Sequence, residues 1–171
     1  TGYIGNIYQG VVSRVLPGLQ AAFVDVGLER TAFLHARDMV RHDPVTTGSE
    51  MPPEPLISNL LRPGDRLIVQ VIKDPLGSKG ARLTTNISVP SRFLVLLPDS
   101  DVVGVSARIE EESERARLKA LVHTLRDRSL GHGYIVRTNA EGVNDFALSA
   151  DMAYLGKVWQ TISERAVSAP P

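Results

Sequence analysis

Cysteine is absent from all 171 residues. Disulfides, thiolate zinc sites and cysteine nucleophiles are thereby excluded, a reducing compartment is permitted, and any metal must be held by oxygen or histidine. Excess charge of either sign is absent too, because 19 Lys and Arg balance 19 Asp and Glu. The balance holds in each half, 9 against 8 in residues 1–85 and 10 against 11 in residues 86–171. A broad basic field for nucleic acid is therefore missing, and an anion site has to be local and geometric. No apolar run approaches the roughly 20 residues of a membrane span, and no basic segment followed by an apolar one opens the chain, so a cytoplasmic location is expected. Aromatic residues are few, with four Phe, four Tyr and one Trp. What is present, 43% hydrophobic and 22% charged residues, is the composition of an ordinary folded protein. The chain opens on Thr1-Gly2-Tyr3 without methionine and closes on Ala169-Pro170-Pro171, the look of a piece of something longer. Its length suits two small domains.

The first domain is expected over residues 1–85. Residues 5–16 are rich in Ile, Val and Tyr and stop at the turn signal Pro17-Gly18, and residues 21–26 and 31–35 follow at tight spacing, which predicts an antiparallel meander. Residues 41–55 are too rich in Pro, Gly and Thr for a helix or central strand and read as an exposed, mobile insertion. One helical turn over 56–61 precedes Pro63-Gly64-Asp65, which launches the apolar strand 67–72, and a hairpin through Gly77-Ser78-Lys79-Gly80 delivers 81–85. Five short strands with Gly and Pro punctuation predict a small barrel, the five-stranded Greek-key OB-fold being the commonest of that size. Residues 86–171 read differently, as a small α+β unit. Strands are expected at 93–97, 102–105 and 133–138, with helices over 110–126 and 144–166. Leu118, Leu121, Val122 and Leu125 line one face of the first helix, and Leu148, Met152, Leu155, Trp159 and Ile162 one face of the second.

Two constellations carry chemistry. Phe23 and Phe33 fall on adjacent strands, and alternation puts Phe33 and His35 on one face. An exposed aromatic pair on a barrel is a platform for single-stranded nucleic acid, each stacked base being worth about 1–3 kcal/mol, and Lys79 in the hairpin loop places a cation near the strand's backbone. The competing reading is that both phenylalanines fill the core. Arg137-Thr138 closes a strand ahead of a helix, where a guanidinium can grip a terminal phosphate bidentately and a hydroxyl with backbone N–H groups can complete an anion cradle. Its competing reading is a plain surface arginine. Glu110, Glu111, Glu112 and Glu114 read as a solvated helix start with an i,i+4 pair from Glu111 to Arg115. Asp99-Ser100-Asp101 offers two carboxylates for magnesium in a self-sufficient hydrolase, against the commoner role of such residues in turns. The Gly77–Gly80 loop lacks the spacing of a P-loop. His42, His123 and His132 are scattered, and no Ser/His/Asp arrangement can be assembled.

The blocks Gly10-Val11-Val12-Ser13-Arg14-Val15, Ala22-Phe23-Val24-Asp25-Val26-Gly27, Ala32-Phe33-Leu34-His35 and Pro63-Gly64-Asp65 resemble the RNA-binding OB domain typified by ribosomal protein S-one. Adding Leu16-Pro17-Gly18-Leu19-Gln20-Ala21, Lys73-Asp74-Pro75-Leu76-Gly77-Ser78-Lys79-Gly80-Ala81-Arg82-Leu83, Val103-Gly104-Val105-Ser106-Ala107-Arg108-Ile109-Glu110 and Ile135-Val136-Arg137-Thr138 extends the resemblance over the whole chain, to the bacterial ribonuclease E/G family, with the Lys73 to Leu83 block favouring its G branch. The resemblance implies an endoribonuclease that cuts single-stranded RNA in ribosomal RNA 5′ maturation and messenger RNA decay and prefers 5′-monophosphorylated ends. It assigns RNA binding on an S-one-type barrel to the positions of Phe23, Phe33 and Lys79, beside which His35 is expected to bind RNA from the face it shares with Phe33, with Arg108 as a further RNA contact, and a 5′-sensor subdomain to residues 86–171. The phosphate pocket falls to Arg137 and Thr138, with the backbone of Val95 and the position of Ser91. Ser91 stands where the family has glycine, and Ala107 where it has the first of two arginines. The family's magnesium-binding aspartates and its zinc-link cysteines match nothing in this chain, for which no cofactor and no cleavage are expected, and the parent is implied to be a homodimer. The alternative is a stand-alone S-one-type RNA-binding protein indifferent to the 5′ end.

Overall fold

In the computed structural model, residues 2–39 and 56–168 are described, and the expected insertion at 41–55 lies outside them, as does His42. The chain divides into two compact units after Asn86.

The first unit is a closed barrel of strands β1 (Ile7–Leu16), β2 (Ala21–Asp25), β3 (Ala32–His35), β4 (Arg66–Lys73) and β5 (Arg82–Thr84) in the order β1-β2-β3-β5-β4. β1 to β3 form the expected meander, β3 and β5 pair in parallel, and β4 closes back on β1, which is the connectivity of the OB-fold. One strand can serve two partners because it bends. β1 pairs with β4 through Ile7–Val11 and with β2 through Val11–Leu16, and its register slips between Val12 and Arg14, where a bulge adds twist. Gly10 stands at this crossing because a Cβ there would meet the Val24 side chain. The interior holds Val12, Ala22, Val24, Ala32, Leu34, Val69, Val71 and Leu83, each at most 2% exposed. A helical turn, α1 (Ile57–Leu60), plugs one end with the fully buried Ile57. Pro17-Gly18 forms a 3-10 turn rather than a simple β-turn, and Gln20 beyond it takes a left-handed φ of 50°. Gln20 is held there by its own contacts: Nε2 donates to the Pro17 carbonyl at 2.6 Å, and Oε1 accepts the Ile57 N–H at 2.9 Å.

The second unit is a four-stranded sheet of β6 (Val89–Pro90), β7 (Leu94–Leu97), β8 (Val103–Val105) and β9 (Gly133–Val136), ordered β6-β7-β9-β8, with helices α2 (Glu112–Leu125) and α3 (Asp145–Ser168). β8 and β9 run parallel, as a strand-helix-strand crossover through α2 requires. Leu118 and Val122 of α2 and Leu148 and Leu155 of α3 are fully buried beside Leu94, Leu96 and Val136. Both helices fall close to their expected spans. Two features depart from expectation. The two-residue β6 has no periodicity to read and carries Pro90 at the sheet edge, where a missing N–H costs least. The expected Glu111–Arg115 ion pair does not form, because Arg115 turns inward, its Nη1 donating to the carbonyls of Ser106 and Ile109 and its Nη2 to that of Val105. The orphan carbonyls of the β8–α2 connection offer more than a solvated carboxylate does.

Candidate nucleic-acid interface

Strand alternation decides which way the two phenylalanines face. Ala22, Val24, Ala32 and Leu34 are fully buried, so Phe23 and Phe33 between them point out of the barrel, where both are half-buried. The core-filling reading does not describe them. They are direct cross-strand partners, with ring centroids 6.4 Å apart and planes at 65°, an edge-to-face contact that each ring stabilises in the other. The register also places exposed Arg14 of β1 beside Phe23, and Arg82 of β5 beside Phe33. Cation, ring, ring and cation thus follow one another across four strands. His35 lies two residues from Phe33 on the same face, where its Nδ1 accepts both the N–H and the Nε–H of Arg37, at 3.1 and 3.2 Å.

An open groove of about 930 Å³ runs along this face, lined by Phe23, Phe33 and Gly80, with Arg30, Lys73, Lys79 and Arg82 as cations. Leu19 and Leu76, 63% and 80% exposed, form apolar lips. Asp74, the one acid in the lining, is engaged with the N–H groups of Tyr3 and Ile4 at 2.6 and 3.1 Å. Arg82 is tied to Asp38 at 2.9 Å, which fixes where its charge sits. Lys79 stands on a tight loop closed by two backbone bonds between Leu76 and Lys79, at 2.9 and 3.1 Å. Gly80 lets this loop lie flat on the β2–β3 turn, since a Cβ would run into the Thr31 carbonyl. Aromatic faces flanked by cations in an open channel can stack bases and track a phosphate backbone without reading sequence.

In the second unit, Arg137 leaves the end of β9, exposed, with its N–H on the Phe93 carbonyl at 2.8 Å and its Nη1 on the Ser91 carbonyl at 2.5 Å. Thr138 is exposed beside it and exchanges a 2.9 Å hydrogen bond with Ser106, whose Oγ also accepts the Arg108 N–H at 3.3 Å. The guanidinium of Arg137 is thus bonded to Ser91, and the hydroxyl of Thr138, through Ser106, to the backbone N–H of Arg108. Val95 lies one step inside β7, in register with Pro90 on one side and Ile135 on the other. Two participants escaped the sequence reading, Ser106 and Asp151. Asp151 on α3 accepts both the Ser91 hydroxyl, at 2.5 Å, and the Phe93 N–H, at 2.9 Å. Asp151 left no local signal, for its partners are tens of residues away, and the Ser106 contact to Thr138 spans 32 residues.

The acidic start of α2 organises itself instead of a metal. Arg117 donates to Glu114 at 2.5 and 2.9 Å, and the Gly142 N–H donates to it at 2.5 Å. The Arg117 hydrogen bond first, and the Gly142 N–H second, hold the Glu114 carboxyl down to about 2. Burial keeps His132 below its ordinary value, against the pull of Asp99 and Asp127. Among the described residues no three His, Cys, Asp or Glu side chains converge as a metal site built on such residues would require. No described helix is long and apolar enough to cross a membrane.

A closed barrel of OB connectivity bearing an aromatic and cationic face, followed by a mixed sheet with an arginine-threonine strand end, defines an OB-barrel protein with a second α+β unit. The family narrows it. Residues 88–171 match the model of the ribonuclease E/G family, and the chain belongs to that family. It is 55% identical over 166 residues to ribonuclease G of Escherichia coli strain K12, covering 96% of this chain and 34% of that protein. Ribonuclease G of Haemophilus influenzae is 52% identical over 171 residues, covering 99% of this chain and 34% of that protein, and ribonuclease E of a Nostoc species is 43% identical over 166 residues, covering 96% and 23%. The chain thus spans about a third of the length of the ribonuclease G relatives it matches.

Proposed function

We propose that this chain is the RNA-binding and 5′-end-reading part of an endoribonuclease of the ribonuclease G type, acting on single-stranded RNA. The outward-facing Phe23–Phe33 pair, set between Arg14 and Arg82 in an open groove, carries the reading. Bases stack on the rings while Lys79, Lys73 and Arg30 follow the backbone phosphates. Arg137 presents a guanidinium already anchored through one nitrogen, and Thr138 adds a hydroxyl, a pair suited to a terminal 5′-monophosphate. Arg108, exposed and with its backbone N–H on the Ser106 hydroxyl, adds a cation to the same unit. Part of the guanidinium's freedom is lost before RNA arrives, which lowers the cost of ordering it on binding.

The remaining roles belong to the same proposal, and the likeness to ribonuclease G supports them. The full-length protein is a magnesium-dependent hydrolase in which these groups position RNA for metal chemistry contributed outside this chain, with zinc joining two copies of a homodimer. It matures ribosomal RNA 5′ ends and opens messenger RNA to decay in the cytoplasm. Positioning of this kind raises cleavage by holding the scissile bond where the metal can act.

Fluorescence anisotropy of one short single-stranded RNA, carrying a 5′-monophosphate or a 5′-hydroxyl at fixed salt, tests the proposal. The salt must be held because phosphate contacts set the affinity. Tighter binding of the monophosphate is expected, with no magnesium-dependent cleavage of either RNA. Equal binding would mean a plain RNA-binding barrel, and robust cleavage would contradict the division of labour.

A further inference from the structure

The Ser91–Leu94 turn between β6 and β7 is gripped from three sides. Its own Ser91 N–H to Leu94 carbonyl bond of 2.8 Å closes it, Arg137 holds the carbonyls of Ser91 and Phe93, and the half-buried Asp151 carboxylate holds the Ser91 hydroxyl and the Phe93 N–H. The last two grips are complementary. Asp151 takes the two donors of the turn, at 2.5 and 2.9 Å, while Arg137 takes two of its carbonyls, at 2.8 and 2.5 Å. Both Asp151 contacts are charge-assisted and come from a helix whose neighbouring turn buries Leu148 and Leu155, so the carboxylate is a fixed point. Beyond these grips the Ser91 hydroxyl lies 3.1 Å from the Leu94 carbonyl, and β6 contributes only Val89 and Pro90 to the sheet.

We propose that Asp151 is a positioning residue for Arg137: by clamping the Ser91–Phe93 turn, it fixes the Ser91 carbonyl that aims the guanidinium. Its consequence for RNA rests on the reading of Arg137 as the 5′-phosphate contact, while the positioning itself does not. In this chain the clamp includes the Ser91 hydroxyl, which a glycine at that position could not supply.

The test has two arms. In RNA-free protein, nitrogen-15 relaxation of the Arg137 Nε–H group reports its order, with exposed Arg108 as reference. Asp151→Ala is expected to lower the Arg137 order parameter to that of Arg108, and Asp151→Asn, which keeps an acceptor oxygen, to preserve it. With RNA, Asp151→Ala is expected to remove the same roughly tenfold monophosphate preference as Arg137→Ala, leave 5′-hydroxyl RNA unchanged, and add nothing in the double variant. An unchanged Arg137 order parameter in Asp151→Ala, or additive losses, overturns the proposal. Should Asp151→Ala fail to fold, Ser91→Ala cuts the same clamp from the other side and is read the same way, as a smaller drop. If the wild type shows no end preference, the reading of Arg137 falls, and the relaxation arm still decides the role of Asp151.

Discussion

The barrel face and the strand end of the second unit, the two sites of the proposed function, are built to opposite designs. The face is broad, two rings and several cations in a groove of about 930 Å³, and each of its contacts serves any stretch of single strand. The strand end is sparse, one guanidinium held by the Ser91 carbonyl, one hydroxyl held by Ser106 and the Arg137 backbone N–H held by Phe93, and on the proposed reading it serves only one end of a molecule. Stacking tolerates small displacements of the ring, whereas a bidentate phosphate contact fails when the guanidinium swings. This difference explains why the rings need little beyond strand alternation, while Arg137 needs a chain of partners reaching to α3.

The strongest way to separate fold from function is to compare neighbours on β3. Leu34→Ala should cost about 2–5 kcal/mol of stability as a cavity in the barrel, and Phe33→Ala far less, while only Phe33→Ala weakens RNA, by about 1–3 kcal/mol per base stacked. Urea unfolding beside anisotropy distinguishes the two. Next in size, Gly80→Ala should push the Lys79 loop off the Thr31 carbonyl and weaken all RNAs alike, roughly as Lys79→Ala does, with an intact circular dichroism spectrum. Lys79→Gln should lower the slope of log affinity against log salt by about 0.7, the contribution of one phosphate contact on a single strand, and leave the monophosphate preference as it was.

The smallest effect concerns pH. The Glu114 carboxyl, lowered from 4.5 to about 2 by Arg117 and Gly142, stabilises the folded second unit fully above the unfolded value and loses that contribution as pH falls toward the folded one. Denaturation midpoints of wild type and Glu114→Gln should differ at pH 6 and converge between pH 4.5 and 2.

What could be read from the chain and what could not divide along the same line. Phe23, Phe33 and His35 were legible as a shared face because a strand alternates with period 2, and the barrel itself follows from five short strands with turn signals between them. Whether that face pointed outward was not legible until the small residues Ala22 and Ala32 proved to be the buried partners. Arg14 and Arg82 joined it only through register, which depends on a bulge in β1 and a parallel pairing of β3 with β5. In the second unit, Arg137 and Thr138 were visible as a pair of types. Ser91 and Asp151, 46 and 14 residues from Arg137 in the chain, and Ser106 beside Thr138 were joined to them only by folding. Arg115 shows the limit of a local rule, since three backbone carbonyls outcompeted the i,i+4 glutamate.

The central claim is that the face binds strands and the Arg137–Thr138 pair binds ends, and a crossed anisotropy measurement addresses it most directly. Phe23→Ala and Arg137→Ala are each titrated with the 5′-monophosphate and 5′-hydroxyl forms of one RNA at one salt concentration. Phe23→Ala should weaken both RNAs by the same factor and leave their ratio intact, and Arg137→Ala should bring the monophosphate down to the hydroxyl and leave the hydroxyl unmoved. A Phe23→Ala effect confined to the monophosphate, or an Arg137→Ala effect equal on both RNAs, would contradict the account.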